Sequence, residues 1–452
     1  MKKKKLAPCS VRCLQLLCLM IIVGIALRFT NLTFPDFQTD EAQAAMAATA
    51  AWTPLGMMIL EFVQGLFGRE IFVVRGVSVL FGLLQLPLMY ALALHIMKKR
   101  RASPQISHDT ALTVTAITAV FPSHILFSRL AWLSVHLCFA WTLVLCAYLR
   151  AREKNHHGWL VILFLASVFA TLLKTQGLLF PLFLLAGRIL ELLIAKNLGK
   201  IKKWKKVFKD ELALTLVFSL IPVTFYILTH PGIAATVLLY GGDLYGLSNI
   251  NLRFEHLFTT WWYILTIYLI ALAGSLRFIL GLAPLPKRWK VWPIWGLLLI
   301  CATIGLVLGP GNGYYTTYLV LFSLPIGIGL MRSKNWVRMT ALTILFVTTI
   351  LSIGPRDYFL NSWTLEPFRT PGYWNSHEEK INYVLRKEAA VTVLGYAGHH
   401  LRWYLDPYLY VGKDMSPPYP TRMILILGDS NAARELGGVV YKDNQVTIIR
   451  QN

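Results

Sequence analysis

Apolar runs of about 20 residues recur along this chain with basic clusters between them, a pattern that only a bundle of membrane-crossing helices satisfies. The runs are Cys13–Leu27, Ile71–Met97, Thr110–Phe127, Trp132–Leu149, Trp159–Leu173, Leu178–Ile194, Leu212–Leu228, Trp261–Leu282, Val291–Leu308, Tyr314–Met331 and Trp336–Ile353. They predict about 11 transmembrane helices, and with 56% of its 452 residues hydrophobic the chain cannot be an ordinary soluble domain.

The formal net charge is +22, a value that in a soluble protein would raise nucleic acid as a partner. Here the Lys and Arg sit in short loops, which is how orientation is set in a bilayer, so no nucleic acid is expected. The clusters are Lys98–Arg101, Arg150 with Arg152 and Lys154, the run from Lys196 to Lys209, Lys287 with Arg288 and Lys290, and Arg332 with Lys334 and Arg338. Every one falls in a loop assigned to the cytoplasmic side once Lys2–Lys5 and Arg12 fix the N-terminus there. The Lys196–Lys209 run also suits anionic membrane lipids. The first span lacks a small-residue cleavage site and reads as an uncleaved anchor. The six cysteines lie in or beside apolar segments without metal or redox spacing and read as small core residues.

An odd number of spans leaves the C-terminus outside. From Pro355 onward the chain turns polar, with the helix-like EEKINYVLRKE followed by the β-type runs VTVLGYAG, MILILGD and VTIIR. The expectation is an all-α polytopic membrane domain over residues 1–354 and a small extracytoplasmic α/β cap over residues 355–452. MILILGDSNAA resembles the first block of the GDSL hydrolases, with Ser430 as nucleophile. No histidine follows Ser430 to serve as its base, so a strand-to-turn coincidence is preferred.

The first outer loop, residues 30–70, carries Asp40 and Glu41 side by side just beyond the first span. Acids beside a bilayer are costly and usually serve chemistry. Thr39-Asp40-Glu41 is also a good helix start, which is the structural alternative. Arg75, Arg129 and Lys174 each fall near the outer end of a span, where cations stabilise an anionic group, reach to the interface or pair with Asp36 or Glu61. Tyr314 and Tyr315, with Trp261 and Trp262, can stack on a sugar or simply form an interfacial aromatic belt.

The stretches TDEA, LFGREIFVVRGVSVLFGLL, FPSHILFSRLAWLSVHLCFAWTLVLCAYLRAR and ATLLKTQGLLFPLFLLAG, in that order, resemble the GT-C glycosyltransferases of the protein mannosyltransferase and aminoarabinose transferase group. The resemblance implies a GT-C fold and transfer of a sugar from a polyprenyl-phosphate-linked donor to an extracytoplasmic acceptor, whether protein, lipid or glycan. It places Asp40 as catalytic base or acceptor-positioning group, with Glu41 as its neighbour. The leaving group is then a lipid phosphate, for which Arg129 and Lys174 are the leading contacts, while Arg75 either joins them or holds the acidic loop. No metal site is indicated, although two adjacent carboxylates can hold a divalent cation through waters. The rival reading is a lipid-linked glycan flippase or transporter, disfavoured because few charges fall at mid-membrane. A membrane scaffold whose cap binds a partner is a third. Between the endoplasmic reticulum and a bacterial inner membrane, the expectation is the latter, since no retention signal ends the sequence.

Overall fold

The computed structural model describes residues 8–29, 32, 54–68, 70–99, 101–153, 157–197, 209–229, 292–304, 313–331 and 334–353, and the strand residues 391–394, 411–412, 423–427, 438–442 and 446–450. Asp40 and Glu41 lie outside them, as do the run Trp261–Leu282 and Ser430. The chain divides into two compact units, one of Met1–Thr30, Ala51–Ile59 and Arg75–Thr364, the other of Asn31–Ala50, Leu60–Val74 and Leu365–Asn452.

The described helices are α1 (Pro8–Phe29), α2 (Pro54–Phe67), α3 (Ile71–Lys99), α4 (Pro104–Ala119), α5 (Pro122–Ser128), α6 (Leu133–Ala151), α7 (His157–Leu173), α8 (Leu179–Asn197), α9 (Glu211–Thr229), α10 (Trp292–Thr303), α11 (Ser323–Leu330) and α12 (Asn335–Ile353). Among the described residues, three stretches are long and apolar enough to cross a membrane: Ile71–Lys99, Leu133–Ala151 and Gln176–Lys196. Shorter apolar helices accompany them, including Cys13–Phe29, His157–Leu173 and Glu211–Tyr226.

Two expected spans turn out to be composite. The run Thr110–Phe127 breaks at Val120 and Phe121, because Pro122 cannot continue α4 and instead occupies the first turn of α5. The run beginning at Tyr314 starts as a tight 3-10 segment, Gly313–Phe322, before relaxing into α11. Helix α4 is rich in threonine yet buried, and its hydroxyls explain how: Thr110, Thr115 and Thr118 each donate to the carbonyl four residues earlier, at 2.7, 2.9 and 2.8 Å. Ser103 caps its start, accepting from the Ile106 N–H at 3.3 Å.

The helical unit centres on α6 and its antiparallel neighbour α7. Trp141 is fully buried on α6, and its indole N–H donates to the Gly177 carbonyl at 3.1 Å. Cys13, Cys138, Cys146 and Cys301 are buried as expected, whereas Cys18 is exposed.

Where α6 and α8 finish and α9 and α10 begin, an ion-pair network ties the helices together. Glu191 accepts from Arg152 and from Arg188, each at 2.7 Å, and from the Trp292 indole N–H at 2.9 Å. Arg188 also grips Asp210 with two nitrogens, at 3.1 and 2.7 Å, and Asp210 in turn accepts from the Ala213 N–H at the start of α9. Beside it, Lys99 at the end of α3 meets Glu153 at 2.7 Å.

In the other unit, β1 (Val391–Leu394), β2 (Val411–Gly412), β3 (Met423–Leu427), β4 (Gly438–Lys442) and β5 (Val446–Arg450) form a mixed sheet in the order β2-β1-β3-β5-β4. Strand β1 is parallel to β2 and β3, and β5 is antiparallel to β3 and β4. The apolar run MILIL takes the middle position, with a ladder on each side.

Candidate functional site

Arg75, Arg129 and Lys174 all lie in the helical unit and all are buried, at 0%, 6% and 8% exposure. Their head groups are therefore enclosed by the protein rather than open to solvent. Arg75 stands near the start of α3. Arg129 ends α5, its N–H bonded back to the carbonyls of Ile125 and Leu126 at 3.2 and 3.1 Å. Lys174 follows the last residue of α7 in extended conformation and opens the 3-10 turn Thr175–Leu178.

These positions share one end of the unit. Gly56, on α2, approaches both Leu133, the first residue of α6, and Leu173, the last of α7: a Cβ there would lie 2.8 Å from the Leu133 side chain and 3.1 Å from the Leu173 carbonyl oxygen. Leu133 and Leu173 thus meet beside Gly56; Lys174 directly follows Leu173, and Arg129 lies four residues before Leu133. Arg75 completes the group electrostatically. Burial first, and then the Arg75 charge, pull the Arg129 guanidinium down to about 10.

The loop holding Lys174 is fixed from beneath. The Gly177 N–H donates to the Lys174 carbonyl at 2.7 Å while the Gly177 carbonyl receives the Trp141 indole. A Cβ at Gly177 would overlap the Ala170 carbonyl, so only glycine lets the turn fold back onto α7.

Tyr314 and Tyr315 fall in the 3-10 segment Gly313–Phe322, which packs on α5 and α6 and so adjoins the element that ends at Arg129; the structure describes their backbone only. Among the described residues no three His, Cys, Asp or Glu side chains gather as a metal site, and Asp40 and Glu41 stand outside that set.

One buried cation was not singled out from the sequence. Arg28, near the end of α1, has no exposed surface and donates to the carbonyls of Gly24 and Ala119, both at 3.2 Å, and to His124 Nδ1 at 3.0 Å. Its only sequence signal was a lone arginine at the close of an apolar run, which reads equally as a flanking charge.

The fold is that of a helical membrane protein in which three buried cations lie toward one end of the helical unit. Residues 58–238, the stretch that carries Arg75, Arg129 and Lys174, match the family model described as dolichyl-phosphate-mannose-protein mannosyltransferase. Among solved structures, ArnT from Cupriavidus metallidurans bound to undecaprenyl phosphate is similar at a TM-score of 0.60 and 15% identity, covering 96% of this chain and 97% of that one. AglB from Archaeoglobus fulgidus, an oligosaccharyltransferase in complex with an inhibitory peptide and a dolichol-phosphate, is similar at a TM-score of 0.50 and 13% identity, over 88% of this chain and 64% of that one. At such identities the likeness is one of fold. No protein of curated function matches the chain by sequence. The family match and the shared fold together support the GT-C group of protein mannosyltransferases and aminoarabinose transferases read from the sequence motifs.

Proposed function

We propose that this protein is an integral-membrane glycosyltransferase that moves a sugar from a polyprenyl-phosphate-linked donor to an extracytoplasmic acceptor with inversion at the sugar carbon. The observation that carries the reading is the buried grouping of Arg75, Arg129 and Lys174 at one end of a helical unit whose fold is shared with a protein bound to undecaprenyl phosphate.

In this reading Asp40 takes the proton from an acceptor hydroxyl as the new C–O bond forms at the anomeric carbon. The bond from that carbon to the phosphate oxygen breaks on the opposite face, and its electron pair leaves with the polyprenyl monophosphate. Arg129 and Lys174 neutralise the charge that gathers on this leaving group, with Arg75 beside them. Glu41, its neighbour in sequence, adds a second carboxylate beside the base. The burial of the cations supports this role, because a charge in a low-dielectric site acts on a developing anion far more strongly than one in water. Residues 1–354 form the transferase domain and residues 355–452 a cap on the extracytoplasmic side of a bacterial inner membrane.

Purified protein incubated with labelled polyprenyl-phosphate sugar and candidate acceptors tests the reading. Transfer by the wild type and its loss in Asp40→Asn are expected; equal transfer by both would remove Asp40 as the base.

A further inference from the structure

Arg28 does more than neutralise a stretch of backbone. Its guanidinium spans the break between α4 and α5: one nitrogen takes the carbonyl of Ala119, the last residue of α4, and the other takes Nδ1 of His124 in the first turn of α5. The Ala119 carbonyl is one of the end groups that α4 cannot satisfy internally, and a cation at a helix C-terminus is the favoured partner for it. A guanidinium has only donors, so Nδ1 of His124 must accept, which leaves the ring proton on Nε2. Both side chains have no exposed surface.

Helix α3 closes on the same point. A Cβ at Gly82 would lie 2.8 Å from the Ser128 Cβ and 3.1 Å from Arg28 Nε, so α3 rests directly on Arg28 and on the residue that precedes Arg129. Arg75 stands seven residues before Gly82 on α3, two turns away on the same helical face. One buried contact therefore joins the helix that carries Arg75 to the short helix that carries Arg129.

We infer that Arg28 is a positioning residue that sets the direction of α5, and through it the place of the Arg129 guanidinium relative to Arg75. Helix α5 is only seven residues long and is separated from α4 by Val120 and Phe121, so its own hydrogen bonds cannot fix its direction. Arg28 and His124 supply the missing constraint, and a shift of about 1 Å in a positioned group commonly costs tens to hundreds of fold in function.

The inference rests on Arg129 contacting the lipid phosphate, and the test separates the two claims. Binding of decaprenyl monophosphate to monodisperse, detergent-purified full-length protein is measured for the wild type, Arg129→Gln, Arg28→Gln, His124→Phe and His124→Asn, with decaprenol as a phosphate-free control. An asparagine oxygen falls where Nδ1 does and can accept from Arg28; phenylalanine cannot. Arg28→Gln and His124→Phe are expected to weaken phosphate-lipid binding about tenfold, with decaprenol binding unchanged and His124→Asn close to wild type. Loss of binding in Arg129→Gln with none in Arg28→Gln or His124→Phe overturns the positioning role alone, as does an equal loss in His124→Asn and His124→Phe. Wild-type binding by Arg129→Gln overturns the phosphate site and this inference with it. Should Arg28→Gln fail to purify, the two His124 variants decide the matter.

Discussion

The two ends of the helical unit use the same residue types to opposite effect. Where α6 and α8 finish, Arg152 and Arg188 each meet a carboxylate at 2.7 Å, and Glu191 and Asp210 are filled by several donors. Where α4 and α5 meet, Arg28 donates to two carbonyls and an imidazole, and Arg129 feels burial first and then the charge of Arg75. The first arrangement closes on itself and joins four helices. The second gathers positive charge in a buried place, which suits the lipid phosphate of the proposed donor. Burial alone does not separate structural from functional charge.

The largest effect should come from the cation-rich end. Replacing Arg129 or Lys174 by Gln is expected to slow sugar transfer by about 100-fold or more while leaving thermal unfolding near that of the wild type. A large fall in unfolding temperature for either variant would place them with the structural charges. Gly177→Ala should be nearly as damaging for a different reason: its methyl group meets the Ala170 backbone and must displace the turn that holds Lys174. Transfer and stability should then fall together.

At the paired end the order reverses. Arg188→Gln leaves Asp210 and one oxygen of Glu191 without their main partner, and about 3 kcal/mol of stability should go with it, whereas turnover per folded molecule should hold. Acid probes the same clasp. Burial pushes Asp210 upward, but hydrogen bonds from Arg188 and the Ala213 N–H outweigh it and hold the carboxyl below its ordinary 3.8. A depressed carboxyl contributes stability that is complete above the unfolded value and drains away as pH falls through the folded one. The unfolding temperature should therefore drop below about pH 4 in the wild type and more shallowly in Asp210→Asn. The smallest effect is expected at Lys99, which is 59% exposed; Lys99→Ala should change stability by under about 1 kcal/mol.

Much of the helical unit was legible because apolar runs and basic breaks carry independent information. The helices α3, α6, α7 and α8 fall where the runs predict them. The break between α4 and α5 was marked by Pro122, but an apolar run on either side of it concealed the interruption. Glu191 and Arg188 hid in a run read as plain membrane, although their spacing of three places them as neighbours on one helical face. Of the site, Arg75, Arg129 and Lys174 could be chosen because topology sent each to the same side and the motifs singled them out. Arg28 could not, since its partners Ala119 and His124 lie about ninety residues away and only the folded chain brings them to it.

A cryo-electron microscopy structure with decaprenyl monophosphate bound would test the central claim most directly. The phosphate should lie about 3 Å from nitrogens of both Arg129 and Lys174, with the prenyl chain leaving along the bundle. A phosphate seated among Arg152 and Arg188, or held by neither pair, would contradict the division of labour between the two ends.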